Sequence, residues 1–381
     1  MHRVLHVLRA PVGGLFRHVR DLVAAQHGMG LVVGMVCDST AADRLTEERL
    51  AALQPHLALG LHTIPISRSI GLGDTAAFNR VLAIAESCAA GILHGHGAKG
   101  GAFARMVAAR QRQRGHRIAS FYTPHGGSLN FKPTTLKGRV YMAAERRLEP
   151  LTSGLIFESA WSEQIYRRQV CDPTCAVRVI PNGLLPSDFA PHRTDAGASD
   201  IVFVGELRPV KGVDVLLEAI AAMRVENTVR AELVGDGPDA GILRARATAL
   251  GLSRCVRFQG ALPVRKAFGL GRVLAIPSRT ESLPYIVLEA AAAGIPLITT
   301  NVGGIPEIVA GSDTALIPPD DVPALAAALM DAVAQPAAAI ARASRLREAV
   351  RARFTVDEWR ARSSRFTTRS LGPRLRRSAL R

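Results

Sequence analysis

Two stretches in the second half of the sequence carry residue types suited to holding a diphosphate and the sugars at its ends. Val204-Gly205-Glu206-Leu207-Arg208-Pro209-Val210-Lys211-Gly212 lies where an apolar run gives way to a helical pattern, which points Arg208 and Lys211 over a strand end. Each charge-assisted hydrogen bond to a departing diphosphate contributes roughly 1.5–3 kcal/mol, and more where negative charge grows in the transition state. Exposed surface cations are the competing account, more tenable for Arg208 than for Lys211 beside its glycine. The second stretch, Ser278-Arg279-Thr280-Glu281-Ser282-Leu283-Pro284-Tyr285-Ile286-Val287-Leu288-Glu289-Ala290, sets one acid before a helix and another inside it. Pro284 suits the first helical turn with Ser282 as its cap, which turns the amides near Ser282 and Leu283 toward a diphosphate. Glu281 then accepts from sugar hydroxyls. Glu289, inside an apolar helix, calls for a partner, and a ribose diol offers two hydroxyls.

The first half holds weaker signals. Pro11 to His18 contains Gly13-Gly14, a tight turn that lets a phosphate or sugar approach the positive end of a helix, although such a turn also serves sterics alone. A dinucleotide fingerprint would add a third glycine, which is missing, to an acid in the place of Asp38. His94 and His96, two apart on a strand, share a side, and with His125 they would form a metal site if they converged. The alternative is that His96 and His125 line a sugar pocket and His94 is structural.

The elements that position these residues form two series. Val4–Leu8, Leu31–Cys37, Ile92–His96, Ile118–Tyr122, Gly154–Phe157 and Val177–Ile180 read as strands alternating with helices, hence a parallel sheet covered on both faces. Pro181-Asn182-Gly183 and the Pro, Gly, Asp and Ser between 188 and 199 mark a boundary. A second series follows: Ile201–Val204, Ala231–Val234, Val256–Phe258, Leu274–Ile276, Pro296–Thr299 and Ala315–Ile317, with helices such as Val213–Met223 and Ala240–Leu250. The stretch 324–366 reads as helical with one break near Pro336. We expect domains at 1–185 and 186–350, with a crossing helix and basic tail at 351–381.

With 381 residues, 48% apolar and 21% charged, the chain is long enough for two cores and is not disordered in composition. Its longest apolar runs fall short of the roughly 20 residues of a membrane helix. The short N-terminal run Met1–Arg9, with its His and Arg, reads as a strand rather than a secretion signal. Five scattered cysteines read as cytosolic thiols. The net charge of +16 is carried mostly by arginine. Arg105 to Arg147 holds ten Lys/Arg against Glu145 alone, and Arg342 to Arg381 holds thirteen Arg against three acids. Aromatic residues, at 5%, are not interleaved with these stretches, which speaks for an anionic membrane surface over nucleic acid.

These motifs resemble glycosyltransferase family 4, enzymes of the GT-B fold. The likeness runs through Gly13-Gly14, His94-Gly95-His96-Gly97, Thr123-Pro124-His125-Gly126, Pro181-Asn182-Gly183, Lys211-Gly212, Gly235-Asp236-Gly237-Pro238, and Glu281 with Glu289 read together with Gly303-Gly304-Ile305-Pro306-Glu307. It implies two doubly wound Rossmann-like α/β domains facing across a cleft, a C-terminal helix crossing back to the first, and a retaining, metal-independent transfer from a UDP- or GDP-sugar. By resemblance, Glu281 and Glu289 hold the donor sugar and ribose, Lys211 the diphosphate, and His125 lies beside the reacting sugar. The family usually carries Arg where this chain has Glu206, and Arg208 stands two places on. A metal-dependent transferase would show an Asp-any-Asp pair, and none occurs. The expected acceptor is a glycan or lipid-linked molecule of bacterial envelope or exopolysaccharide synthesis. The expected location is cytoplasmic, at or near the inner membrane face. A sugar-nucleotide epimerase of the same architecture, a nicotinamide-dependent oxidoreductase and a non-catalytic nucleic-acid binder are the rival readings.

Overall fold

The computed structural model describes residues 2–39, 44–223, 229–357, 359, 360 and 362. The chain divides into two compact units, one of residues 1–182 with 357–381 and one of residues 183–356. The first is built on seven strands: β1 (Arg3–Leu8), β2 (Val32–Asp38), β3 (Leu61–Ile64), β4 (Ile92–His96), β5 (Ala119–Thr123), β6 (Gly154–Phe157) and β7 (Ala176–Val179). Their order is β3-β2-β1-β4-β5-β6-β7, every pairing parallel. Sequence reading missed β3. It is a four-residue edge strand carrying His62 and Thr63, too short and too polar to stand out by alternation.

The second unit holds β8 (Ser199–Val204), β9 (Ala231–Val234), β10 (Val256–Gly260), β11 (Gly271–Ile276), β12 (Leu297–Thr300) and β13 (Leu316–Ile317), ordered β10-β9-β8-β11-β12-β13, again parallel. Both faces of β8 are apolar. Ile201 and Phe203 pack on one side with Leu216, Ile220 and Leu329, and Val202 and Val204 pack on the other with Leu274, Val287 and Leu288. A parallel sheet covered on both faces needs such double burial. Both sheets reverse their winding once, between β1 and β4 and between β8 and β11. The crevice beyond the strand ends at such a reversal is where open α/β sheets bind ligands.

Three sequence expectations are corrected. The stretch Arg105 to Arg147 is not wholly a basic surface: Arg105 is fully buried, 2.8 Å from Glu145 and over the Tyr122 ring, while Glu145 also accepts from Tyr122 and Ser128. Arg112 and Arg146 are spent on backbone carbonyls of Ile118, Leu151, Gln169 and Val170. Sequence counts charges but cannot see a carboxylate 40 residues away that neutralises one. The terminal helical stretch has a second break beyond the one near Pro336: residues 352–355 are not helical, helical backbone resumes at 356, 357, 359, 360 and 362, and Phe366 lies outside the described residues. Val322–Ala334 and Pro336–Arg351 are helical, after which residues 354–356 bond to Leu184 on both sides. The basic tail from 363 to 381 lies outside the described residues. At helix Tyr285–Ala293, finally, the cap position is filled by Pro284 rather than Ser282.

Among the described residues, no single helix is long and apolar enough to cross a membrane. The one pair that would be, 322–334 with 336–351, bends by 103°.

Candidate active site

The reversal between β8 and β11 sets two loops side by side at the C-terminal strand ends of the second unit. One leaves β8 as a single 3-10 turn, Pro209–Lys211; the other leaves β11 as Pro277 to Pro284. They bring Lys211 Nζ to 2.6 Å from Glu281 Oε1, across 70 residues of sequence. The same oxygen accepts from Ser278 Oγ at 2.7 Å, and Ser278 is buried, its carbonyl held by Thr300. Both members of the pair are half-buried, 22% and 11% exposed by side chain, so the cation and the carboxylate remain reachable by a polyanionic ligand bearing hydroxyls.

Arg279, to which sequence reading gave no role, braces these loops. It forks onto Asp214 at 2.9 and 2.7 Å, reaches Asp320 at 2.6 Å and bonds the carbonyl of Pro209. Hydrogen bonds from that fork hold the Asp214 carboxyl below its usual range against the opposing effect of burial. Its signal in the sequence was position alone, two residues before Glu281. Arg208 turns out to contact the residue that departs from the family pattern: its guanidinium lies 3.3 Å from Glu206, an exposed pair. Glu289 is half-buried on helix Tyr285–Ala293, most of whose other side chains are buried.

Two glycines make the close loop contacts possible. Gly212, at φ +65°, lets the Lys211 turn lie against the carbonyl of Pro277, and Gly303, at φ +60°, lets the following turn lie against the carbonyl of Glu281. A Cβ on Gly303 would stand 1.7 Å from that oxygen. Gly304 donates its amide to Ser282, so the turn also fixes the loop before the helix. Gly303→Ala is therefore expected to lower stability by at least about 2 kcal/mol and to shift the Glu281 loop. Urea unfolding of the variant checks this, and a midpoint equal to the parent's would contradict it.

In the first unit, the ends of β1, β4 and β5 gather histidines. His6, His94 and His96 are each at most 1% exposed, and the rings of His94 and His96 lie 4.1 Å apart on the same side of β4. His96 Nδ1 is 3.0 Å from His125 Nε2, and His125 Nδ1 pairs with Glu158. His94 Nε2 is bonded to Thr123 Oγ1 at 2.8 Å. His18, on helix Gly13–Gly28, bonds Asn182 at 2.9 Å and packs edge-on against His125 and Trp359. Burial holds His6 down to about 4 and His18 to about 3, the latter helped by His125, and lowers His94 and His96 well below 6.5. The ring nitrogens of two triads, His6/His94/His96 and His18/His96/His125, lie within 4.8 Å of one another, which makes them the candidates for holding a metal among the described residues. Of this cluster, sequence reading singled out only His94, His96 and His125. His6, His18, Gln26 and Glu158 are far apart in sequence and follow no spacing rule.

Gly13 and Gly14 open their helix in the exposed first turn with no side-chain cap, Gly13 at φ +62°. Asp38, the acid a dinucleotide would need, is buried and accepts the amide of Ile66 at 2.9 Å. The structure thus brings Lys211, Glu281 and Ser282 to one set of loops in the second unit, and Gly13, Gly14 and His125 belong to the first.

Two doubly wound parallel sheets of this strand order, one with a cation and a carboxylate at its reversal, define a GT-B architecture of the glycosyltransferase kind. The chain belongs to glycosyltransferase family 4: the model described as Glycosyltransferase Family 4 matches residues 12–187, and that described as Glycosyl transferases group 1 matches residues 198–335. Among curated relatives, the chain is 34% identical to D-inositol 3-phosphate glycosyltransferase of Corynebacterium jeikeium over 38% of its own length and 40% of that protein's. It is 31% identical to the GDP-mannose-dependent alpha-(1-6)-phosphatidylinositol monomannoside mannosyltransferase of Mycolicibacterium smegmatis over 54% of its own length and 59% of that protein's. The chain thus spans about two fifths to three fifths of these relatives. Over nearly their full lengths, sucrose-phosphate synthase of Thermosynechococcus elongatus (TM-score 0.79, 20% identity, 97% of this chain and 99% of that one) and Anabaena HepE in complex with UDP-glucose (TM-score 0.77, 19% identity, 97% and 100%) share the fold.

Proposed function

We propose that this chain is a retaining glycosyltransferase that moves a sugar from a UDP- or GDP-sugar to a glycan or lipid-linked acceptor, without a metal ion. The observation that carries the reading is the 2.6 Å meeting of Lys211 and Glu281 at the strand reversal of the second unit. Lys211 takes the diphosphate and Glu281 the sugar hydroxyls, while Glu289 accepts from the ribose diol. Amides near Ser282 and Leu283 complete the phosphate cradle, and Arg208 adds a cation at its rim. The departing phosphate takes the acceptor's proton on the face it leaves, so no carboxylate nucleophile is needed, and charge developing on that phosphate is what Lys211 stabilises. By the family resemblance His125 lies beside the reacting sugar, and the Gly13-Gly14 turn lets a phosphate or sugar approach its helix end. A named GDP-mannose-dependent relative and a UDP-glucose complex of the same fold support a nucleotide sugar as donor.

A panel of nucleotide sugars, scored by thermal shift and by nucleotide release with Glu289→Ala as control, tests this. The parent is expected to be stabilised by one donor class and to release its nucleotide. Glu289→Ala is expected to stay folded and to lose donor affinity by at least about tenfold, the worth of two hydroxyl hydrogen bonds. No stabilisation by any donor, or conversion of the donor sugar without transfer, would overturn the reading.

The acceptor is placed in envelope or exopolysaccharide synthesis, with the enzyme at the inner face of a bacterial membrane. Support comes from the exposed part of the basic stretch 105–147 and from helix Leu136–Leu148, where Leu136 and Val140 are exposed beside Lys137 and Arg139. Flotation with anionic vesicles at low and high salt tests it; no salt-dependent association would remove its motive.

A further inference from the structure

Asp320, just after β13, sits at φ +61°, in the left-handed region that residues bearing a side chain adopt uncommonly. Among the described residues of the second unit, every other one at positive φ is a glycine. Helix Val322–Ala334 does not call for this side chain, because the neighbouring Asp321 caps it by accepting the amide of Ala324 at 2.9 Å. What the Asp320 carboxylate does is accept the Nε–H of Arg279 at 2.6 Å. An unfavourable backbone kept at a position that local structure does not require points to function.

Arg279 joins the two loops that carry Lys211 and Glu281. Its Nη1 donates to the Pro209 carbonyl and, at 2.9 Å, to Asp214; its Nη2 donates to Asp214 at 2.7 Å, and its own amide to the Val210 carbonyl at 2.8 Å. Pro209 and Asp214 lie on either side of Lys211-Gly212 in the chain, and Arg279 stands two residues before Glu281. Gly212 against the Pro277 carbonyl gives the Lys211 turn one pivot. The guanidinium grips the turn before and after that pivot, which fixes its tilt.

Arg279 is not itself placed to take a diphosphate. Four of its five N–H donors are already committed, and the two carboxylates around it outweigh its single positive charge.

We infer that Asp320 and Asp214 hold Arg279 as a clamp that positions Lys211 against Glu281, and that Asp320 keeps its left-handed backbone for this purpose. Arg279 and Asp320 are positioning residues in this account. The geometry stands by itself, and its effect on rate rests on the reading given above, in which Lys211 faces the departing diphosphate. A purely structural brace is the competing account. The two differ because the side chains concerned are 29% (Arg279), 37% (Asp214) and 58% (Asp320) exposed, and partly exposed ion pairs contribute little to stability. A preorganised group displaced by about 1 Å, on the other hand, loses up to about 10²-fold in rate. The clamp should therefore show in turnover and hardly at all in unfolding.

The test compares Asp320→Gly, Arg279→Met and Arg279→Lys with the parent, all as full chains. Glycine removes the carboxylate and adopts positive φ without steric conflict, so Asp320→Gly is expected to keep or raise the urea midpoint. Its kcat is expected to fall by about threefold or more. Arg279→Met is expected to lower kcat by about 10–100-fold, with the donor Kd within about threefold of the parent's. Arg279→Lys keeps the charge but cannot fork, and is expected not to restore kcat. In crystals of Arg279→Met, the separation of Lys211 Nζ and Glu281 Oε1 is expected to lengthen by at least about 0.5 Å, the tolerance of a preorganised site. If Arg279→Met does not fold, the same readouts on Asp320→Gly decide.

A pair that stays at 2.6 Å in the variant would overturn the inference, as would an unchanged kcat. So would an Asp320→Gly protein that loses stability together with activity, or full turnover in Arg279→Lys. Donor affinity that falls as far as kcat would make Arg279 a phosphate ligand and overturn it too. A lengthened pair in a chain whose parent turns over no nucleotide sugar would uphold the clamp and defeat the transferase reading instead.

Discussion

Lys211→Met is expected to reduce sugar transfer by about 10²–10³-fold, mostly in kcat, while leaving the fold intact. Two separate energies set that expectation. In the resting protein Lys211 is one member of a partly exposed pair with Glu281, and such pairs are worth at most about 1 kcal/mol to stability. Its backbone position is held independently, by its amide bond to Arg208 and by Gly212 packed on Pro277, so a Met side chain leaves the turn in place. In the transition state of the proposed reaction, by contrast, a fixed cation would face charge that is only then developing. Removing a preorganised group of that kind typically costs 10²–10³ in rate. The loss belongs in kcat more than in KM because the ground-state diphosphate gains less from the contact than the departing one. Steady-state kinetics with saturating donor decide the matter, and a variant within threefold of the parent would remove Lys211 from the reaction.

Acid is expected to unfold the first unit selectively. His6 and His18 are held near 4 and 3 by burial, against 6.5 for an exposed histidine, and His94 and His96 are lowered in the same direction. Below pH 6.5 the unfolded chain takes up protons that the folded cluster refuses, so their contribution is whole above 6.5 and is lost as the pH falls toward 4 and 3. At about 1.4 kcal/mol per proton and pH unit, His6 and His18 alone cost the folded state on the order of several kcal/mol by pH 4. Glu158, held below its ordinary range chiefly by His125 against the opposing effect of burial, acts in the same sense at lower pH still. Both tryptophans, Trp161 and Trp359, belong to this unit, so their fluorescence reports its unfolding separately. Urea midpoints should be flat from pH 8 to 7 and fall steeply between 6 and 4. A midpoint unchanged at pH 4.5 would mean that these rings are not buried as neutral groups.

Most strands were legible because a sheet covered on both faces demands continuous apolar runs, and Ile92–His96, Gly154–Phe157 and Ala231–Val234 fall where those runs do. Leu61–Ile64 escaped because an edge strand is only half constrained by burial. The cap assigned to Ser282 failed for a local reason: Pro284 itself fills the cap position, and Ser282 instead receives the amide of Gly304 through its carbonyl. Arg105 looked like surface because composition cannot show that Glu145, Tyr122 and Ser128 converge on one buried point.

By itself the sequence determined the two-unit α/β organisation and which cations, acids and glycines stand beside strand ends, since those follow from local pattern and the backbone freedom of particular residues. Only the tertiary structure decided which of them meet. Lys211 touches Glu281 because β8 and β11 are neighbours at a reversal of winding, and His6, His96 and His125 meet in line because β1, β4 and β5, which ends two residues before His125, are hydrogen-bonded side by side. Strand order is set by the packing of whole layers, a non-local free energy that no window of sequence contains.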